Sequence, residues 1–369
     1  MKRIQQLGLL LSPVALLAAG ALFLWTDWTL AAGILLVSGL VALSIGAQLH
    51  PKTKGFSFTI TIFAAVAASL IWPAPFVSIG GFPLKKLIVP LLQVIMFGMG
   101  TTMSLQDFAG VARMPKGVLV GVLCQFTLMP LIGVGLAKVA GFPPEIAAGI
   151  ILVGASPSGL ASNVMAYLAR ANVALSVTLT AVATLLAPLM TPLWMRYLAG
   201  EYIPVDFWAM MESIFRMVIL PVAVGLLLNR LLRDRAEWLR KLMPLVSMAA
   251  IALIIAVITG NGRDNLLEIG LLLMVACLVH NLLGYGLGYG ICRLLGMPEA
   301  DCRTISLEVG MQNSGLASGI AIEMGRIATL GLAPAVFGPM MNITGSTLAT
   351  WWRGKNTAPE LQEEAQRDA

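Results

Sequence analysis

The chain is short of charge. Its 369 residues include 24 Lys and Arg and 18 Asp and Glu, 11% in all, for a net charge of +6. An ordinary soluble domain has about 25% charged residues, and so few could not cover the surface of a water-exposed globule of this size. Disordered chains are polar, so disorder is excluded on the same ground. A nucleic-acid partner is excluded too, because a net +6 spread along the chain makes no basic stripe. Cysteine and histidine are scarce. Cys124, Cys277, Cys292 and Cys302 form no C-x-x-C pair, and His50 and His280 are the only histidines. That inventory builds no transition-metal cluster, and the cysteines read as small buried hydrophobes. HExxH, a Walker loop, GxSxG and an acidic DDxxD-type cluster are all missing, so the chain is not expected to be an enzyme.

What is present in quantity is apolar sequence, 58% of residues. A helix crosses a bilayer with about 20 predominantly apolar residues. Ten stretches without Asp, Glu, Lys or Arg reach 20 residues: 4–26, 28–51, 55–84, 87–106, 117–137, 146–169, 171–195, 242–262, 269–292 and 327–352. Two more apolar segments carry charges. The one at 208–229 holds Glu212 and Arg216, spaced i,i+4 with the acid first, as a helical ion pair prefers. The one at 304–325 holds Glu308 and, near its far end, Glu323, three residues before Arg326. The runs are apolar on all sides and too long for β-barrel strands. The expectation is an all-α integral membrane protein with twelve spans. With a cytoplasmic N-terminus, seventeen Lys and Arg fall inside and seven outside, which places both termini in the cytoplasm. The run behind Lys2 and Arg3 has the outline of a signal peptide, but it reaches Trp25 with no polar c-region and reads as a retained helix. Residues 354–369 read as a disordered cytoplasmic tail.

An internal repeat lies within these spans. Ser158–Ser162 reads SGLAS, and so does Ser314–Ser318. Upstream, Gly135-LAKVAGFP-Pro144 parallels Gly290-ICRLLGMP-Glu299. Proline precedes SGLAS by fifteen residues in the first copy (Pro143) and sixteen in the second (Pro298). The copies lie in spans six and eleven, an odd number apart, so they cross in opposite senses. That is an inverted repeat, as in secondary transporters. It comprises spans 3–7 and 8–12. Both copies also interrupt their helices, through Gly154-Ala-Ser-Pro-Ser-Gly159 and Gly310-Met-Gln-Asn-Ser-Gly315. Broken backbone survives in a membrane only where it is buried in protein or lines a wet cavity. There it can hold a cation on freed carbonyls or an anion at the following helix N-terminus. Two kinked helices packing through small residues is the alternative.

Glu308 is the one acid inside a span without an obvious helical counter-ion. An intramembrane carboxylate is a functional candidate by default. It can hold a hard cation such as Na⁺, carry a proton, or pair with Arg303 at the helix end. Polar side chains that can gather around it are Gln312 and Asn313 in the second break, Ser162 and Asn163 after the first, Ser176 and Thr180 on one face of span seven, and Gln125 in span five. His280 and Asn281 read as an interhelical hydrogen-bond pair rather than a proton relay.

Ser162–Leu193 and the string EVGMQNSGLASG at Glu308–Gly319 resemble the two signature segments of the bile acid:sodium symporter family, and Val279–Tyr289 does too. The similarity runs from Phe56 to Trp352. It implies two inverted five-helix repeats, forming a panel domain and a core domain in which two discontinuous helices cross. Residues 55–206 are then the first repeat and 207–353 the second, with 1–54 an extra N-terminal hairpin. The resemblance implies two sodium ions. One falls at Ser162, Asn163, Ser176, Thr180 and Glu308, the other at Gln125, Glu308, Gln312 and the carbonyls of Val309 and Met311. It implies an organic anion as substrate, a bile acid or a small carboxylate such as pantoate or pyruvate, beside Gly159, Leu160, Asn313 and Asn342. It also implies a multi-pass protein of the bacterial inner membrane that needs no oligomer. Two positions depart from the family pattern. Met340-Met341-Asn342 stands where Trp-His-Asn is usual, and Leu160 where a Thr is common. Both changes make the crevice more apolar and leave the sodium residues intact.

Overall fold

The computed structural model describes residues 29–49, 54–232 and 237–355. The expected span at 4–26 and nearly all of the tail lie outside the described residues. The described chain is almost entirely helical: α1 (Thr29–Leu49), α2 (Lys54–Ile71), α3 (Ile88–Thr102), α4 (Leu105–Arg113), α5 (Pro115–Ala140), α6 (Pro144–Ala155), α7 (Ala161–Leu168) and α8 (Val173–Trp194). There follow α9 (Phe207–Ile214), α10 (Leu220–Leu232), α11 (Glu237–Asn261), α12 (Arg263–Leu294), α13 (Glu299–Gly310), α14 (Ser314–Glu323) and α15 (Leu332–Arg353). A π turn at Phe215–Ile219 joins α9 to α10. Among the described residues, seven helices are long and apolar enough to cross a membrane. The molecule is an all-α, multi-pass membrane protein.

Charge-free runs overestimate some helices, because proline and glycine end a helix without any charge. The long helix in the run 55–84 ends at Ile71, and only a single helical turn, Ala74–Val77, comes after it. Pro73 and Pro75 follow, then a two-residue hairpin pairing Ser78–Ile79 with Phe82–Pro83 around Gly80-Gly81. The runs at 146–169 and 304–325 are each split in two, as their internal glycines and Pro157 lead one to expect. Glu212 and Arg216 pair as their spacing requires. Arg326 pairs with Glu145 on α6.

Two groups of helices are apparent. In one, α2 and α3 pack on α10 and α11, with α1 laid along α2. The crossing of α3 and α10 is closed by glycine on both sides. A Cβ on Gly100 would meet the Val222 carbonyl at 2.2 Å, and one on Gly225 would meet the Phe97 carbonyl at the same distance. Small residues let membrane helices approach to backbone contact, where dispersion replaces the hydrophobic drive that lipid cannot supply. In the other group, α5, α8, α12 and α15 pack around the two broken helices, α6–α7 and α13–α14.

The broken helices run antiparallel, and each begins where the other ends. At the start of α6, Glu145 bonds Arg326 and Thr329, just past the end of α14. At the start of α13, Asp301 accepts from Asn172 Nδ2 at 2.7 Å and Thr304 donates to the Asn172 carbonyl at 3.0 Å, just past the end of α7. Arg303, 2% exposed, completes that second tie. Its Nε donates to Glu299 Oε1 at 2.9 Å and its Nη1 to the carbonyls of Ala169 and Trp352 at 3.1 and 3.2 Å.

Candidate functional site

The break in α6–α7 follows from Pro157. The residue before a proline is driven out of the helical region, and Ser156 is extended at φ −79°, ψ 154°. The break in α13–α14 has no proline. Gly310 ends α13, Met311 is extended at φ −106°, ψ 102°, and Asn313 restarts the chain by capping α14, its Oδ1 accepting from Leu316 N at 3.0 Å. The two interruptions meet. Ser158 and Gln312 face each other in an antiparallel bridge, with Gly159 N donating to the Met311 carbonyl at 3.1 Å and Asn313 N to the Pro157 carbonyl at 2.7 Å.

Carbonyls freed at the ends of the first half-helices are taken by side chains of neighbouring helices, as burial demands. Gln125 Nε2 on α5 donates to the Ser156 carbonyl at 2.8 Å, and Thr191 Oγ1 on α8 to that of Ala155 at 2.7 Å. Asn281 Nδ2 on α12 does the same for Gly310 at 2.8 Å. Gly284 of α12 makes the last contact possible: a Cβ there would sit 2.9 Å from the Gly310 Cα.

Glu308 lies at the centre, 2% exposed. Ser162 Oγ of α7 and Ser176 Oγ of α8 both reach its Oε1 at 2.6 Å, and Thr180 Oγ1 of α8 reaches Oε2 at 2.9 Å. Ser176 and Thr180 also contact Asn163 Oδ1, at 2.8 and 3.2 Å, and Ser162 contacts the Gly159 carbonyl at 2.7 Å. With the Asn163 amide oriented this way, three hydroxyl protons serve six oxygen–oxygen contacts. The cluster is rich in oxygen and short of protons. Among the described residues no Lys or Arg pairs with Glu308, because Arg303 is committed to Glu299. The alternative of a Glu308–Arg303 pair is thereby removed.

The five residues expected at the first sodium position thus form one cluster, three of them on the Glu308 carboxylate and Asn163 on the hydroxyls of Ser176 and Thr180. The second expected set is only partly gathered. Gln125 Nε2 donates to Gln312 Oε1 at 2.7 Å and Gln312 Nε2 to the Val309 carbonyl at 2.6 Å, forming a chain of satisfied amides. The Met311 carbonyl accepts the bond from Gly159, and Glu308 belongs by contact to the first set. Of the residues expected around an anion, Gly159 and Asn313 are buried at the crossing, while Leu160 and Asn342 are half-buried. Asn342 Nδ2 bonds the Gly338 carbonyl of its own helix. None of these four lines either of two cavities, of about 330 and 720 Å³. The larger lies between α12 and α15, walled by Tyr285, Tyr289, Ile343, Trp351 and others. His280 and Asn281 bond across helices but to different partners: His280 Nε2 to the Met129 carbonyl at 2.9 Å, and Asn281 to Gly310 and to Thr344 Oγ1. Asn172 was not legible as a site-bearing residue. It caps α8, which carries Ser176 and Thr180, and ties it to α13, which carries Glu308.

Comparison with known proteins bears on the family to which the chain belongs. The model of the Sodium Bile acid symporter family matches residues 89–269. The chain is 40% identical over 307 residues to the "Uncharacterized sodium-dependent transporter YocS" of Bacillus subtilis (strain 168), covering 83% of this chain and 93% of that one. It is 39% identical over 274 residues to the "Probable sodium/metabolite cotransporter BASS1, chloroplastic" of Arabidopsis thaliana, covering 74% and 68%. It is 34% identical over 235 residues to the "Ileal sodium/bile acid cotransporter" of Cricetulus griseus, covering 62% and 67%. With a match along nearly the whole of its bacterial relative and a buried carboxylate at the crossing of two broken helices, the chain belongs to the sodium bile acid symporter family.

Proposed function

We propose that the protein is a sodium-coupled symporter of an organic anion, working by alternating access. The observation that carries this reading is Glu308. A buried carboxylate with no cationic partner is costly, and the oxygens crowded on it lack the protons to satisfy one another. A hard cation bound to oxygen resolves both problems at once. Ser162, Asn163, Ser176, Thr180 and Glu308 hold the first Na⁺. A second Na⁺ takes Gln125, Gln312, Glu308 and the carbonyls of Val309 and Met311. That step requires the Gln125–Gln312 bond to loosen, while the Met311 carbonyl keeps its bond from Gly159 and offers its second lone pair, so the second ion binds only after a rearrangement of the two amide side chains.

The anion, a bile acid or a small carboxylate such as pantoate or pyruvate, sits by Gly159, Leu160, Asn313 and Asn342, facing the N-termini of α7 and α14. Residues 55–206 and 207–353 are two inverted five-helix repeats. The matched roles of Gln125 and Asn281, each bonding the carbonyl end of a broken helix, support this division. The group α2, α3, α9–α10 and α11 is the panel and the group around the broken helices is the core. Residues 1–54 form an added hairpin, 354–369 a cytoplasmic tail, and both termini face the cytoplasm at a bacterial inner membrane.

The test is uptake of radiolabelled taurocholate, pantoate and pyruvate into proteoliposomes under an imposed Na⁺ gradient. Uptake of at least one should require inward-directed Na⁺ and vanish in Glu308→Gln. Full sodium dependence in Glu308→Gln would refute the mechanism. A proton could enter the same proton-poor cluster, so proton coupling is the second reading. Uptake persisting when choline replaces Na⁺ at fixed pH would favour it, and ligand binding without flux would mark a sensor.

A further inference from the structure

The first serine of each SGLAS copy holds a buried hydroxyl oxygen with no hydrogen-bond partner. Among the described residues only five buried side-chain polar atoms are in that position, and Ser158 Oγ and Ser314 Oγ are two of them. Native structures rarely leave such groups unpaired, and each instance calls for an explanation. The surroundings of the two serines differ. Ser314 opens α14 and packs against Gly338 of α15, where a Cβ would meet its Cβ at 3.3 Å. Ser158 is 1% exposed and stands opposite Gln312 in the bridge between the broken helices. Its chain neighbour Gly159 accepts from Ser162 Oγ at 2.7 Å, and that same hydroxyl reaches Glu308 Oε1 at 2.6 Å, while Ser158 Oγ itself has no hydrogen-bond partner.

Ser158 therefore adjoins both the Glu308 cluster and the Gln125–Gln312 pair, and its oxygen is uncommitted. The other hydroxyls around Glu308 are each engaged at 2.9 Å or less. We propose that Ser158 is a further ligand of the sodium bound at Glu308, contributed by the break itself rather than by a helix. This rests on the sodium-symport reading above. The bridge fixes the backbone of Ser158 before an ion arrives, and the free oxygen supplies a neutral ligand without displacing an existing bond.

The experiment titrates Na⁺ against thermal unfolding of the purified full-length protein in detergent, with choline holding ionic strength constant and no organic anion present. Ser158→Ala should raise the half-saturating Na⁺ about tenfold, the scale of losing one bond to a charged group. It should leave the melting temperature in choline unchanged. Ser158→Gly should do the same, which separates loss of the oxygen from a packing fault. Ser314→Ala, at the repeat-equivalent position away from the carboxylate, should leave the Na⁺ titration where it is. A wild-type titration in both Ser158 variants overturns the proposal, and so does an equal shift in Ser314→Ala. Glu308→Gln is run beside them. If Glu308→Gln keeps the wild-type Na⁺ response, the symport reading fails whatever Ser158 does. If it loses that response while both Ser158 variants keep it, only this inference fails.

Discussion

Replacing Arg303 by Met separates two ideas that the sequence leaves entangled, because Arg303 and Glu308 are five residues apart in one helix. The guanidinium is almost fully buried and makes four kinds of contact. It pairs with Glu299, donates to the Ala169 and Trp352 carbonyls, and bonds the Lys355 carbonyl at 3.3 Å from both Nη1 and Nη2. It also stands over the Trp352 ring at 5.9 Å. Met fills much of the same volume and removes every donor. The buried Ala169 carbonyl then loses its partner at about 1–3 kcal/mol, the Trp352 carbonyl keeps Lys355 N at 2.9 Å, and breaking a buried pair from one side costs about 3–5 kcal/mol. These overlap, because Glu299 keeps Tyr289 at 2.8 Å and Arg293 at 3.5 Å. A net loss of about 3–5 kcal/mol is expected, or roughly 6–10 °C in melting temperature at about 2 °C per kcal/mol for a chain of this size. The assay is thermal unfolding in detergent, with a Na⁺ titration of the protein that remains folded. The half-saturating Na⁺ should stay within about twofold of wild type, since Arg303 serves Glu299 and not Glu308. A variant of unchanged stability with a strongly altered Na⁺ response would refute this, and would mean that Arg303 sets the charge at Glu308.

Two further outcomes are expected. Gly100→Val should prevent recovery of folded protein in a size-exclusion assay, because its Cβ would enter the Val222 carbonyl at 2.2 Å and backbone cannot step aside; a normal yield would show that α3 and α10 can cross elsewhere. Asn313→Ala removes the α14 cap, about 1 kcal/mol, and should raise the KM for the transported anion at saturating Na⁺ while Asn313→Asp restores the cap; an unchanged KM in the Ala variant would remove Asn313 from the anion site.

Much of this site could be read from residue order. Pro157 and the pair Gly310 and Gly315 mark the interruptions because their effect on a helix is local. Ser176 and Thr180 were placed on one face because helical spacing is local too. Glu308 stood out because a charge in an apolar span has few explanations. The ties that assemble the site are different in kind. Gln125 meets Gln312, and Arg326 meets Glu145, across about half of the chain. No periodicity encodes such partners, and the nearer charge, Glu323 for Arg326, is not the one used. The extent of the helix inside the run 55–84 is hidden for another reason: an absence of charge says where lipid is tolerated, but Pro73, Pro75 and Gly80-Gly81 decide where a helix can continue.

The two backbone bonds at the Ser158–Gln312 bridge have a kinematic consequence. Helices joined by side chains can slide as rotamers change, but strands joined through main-chain amides move as one piece or come apart. Whatever swings during a transport cycle, these two interruptions travel together. Spin labels placed on the half-helices either side of the seam should report one fixed separation while labels spanning α3 and α13 report two.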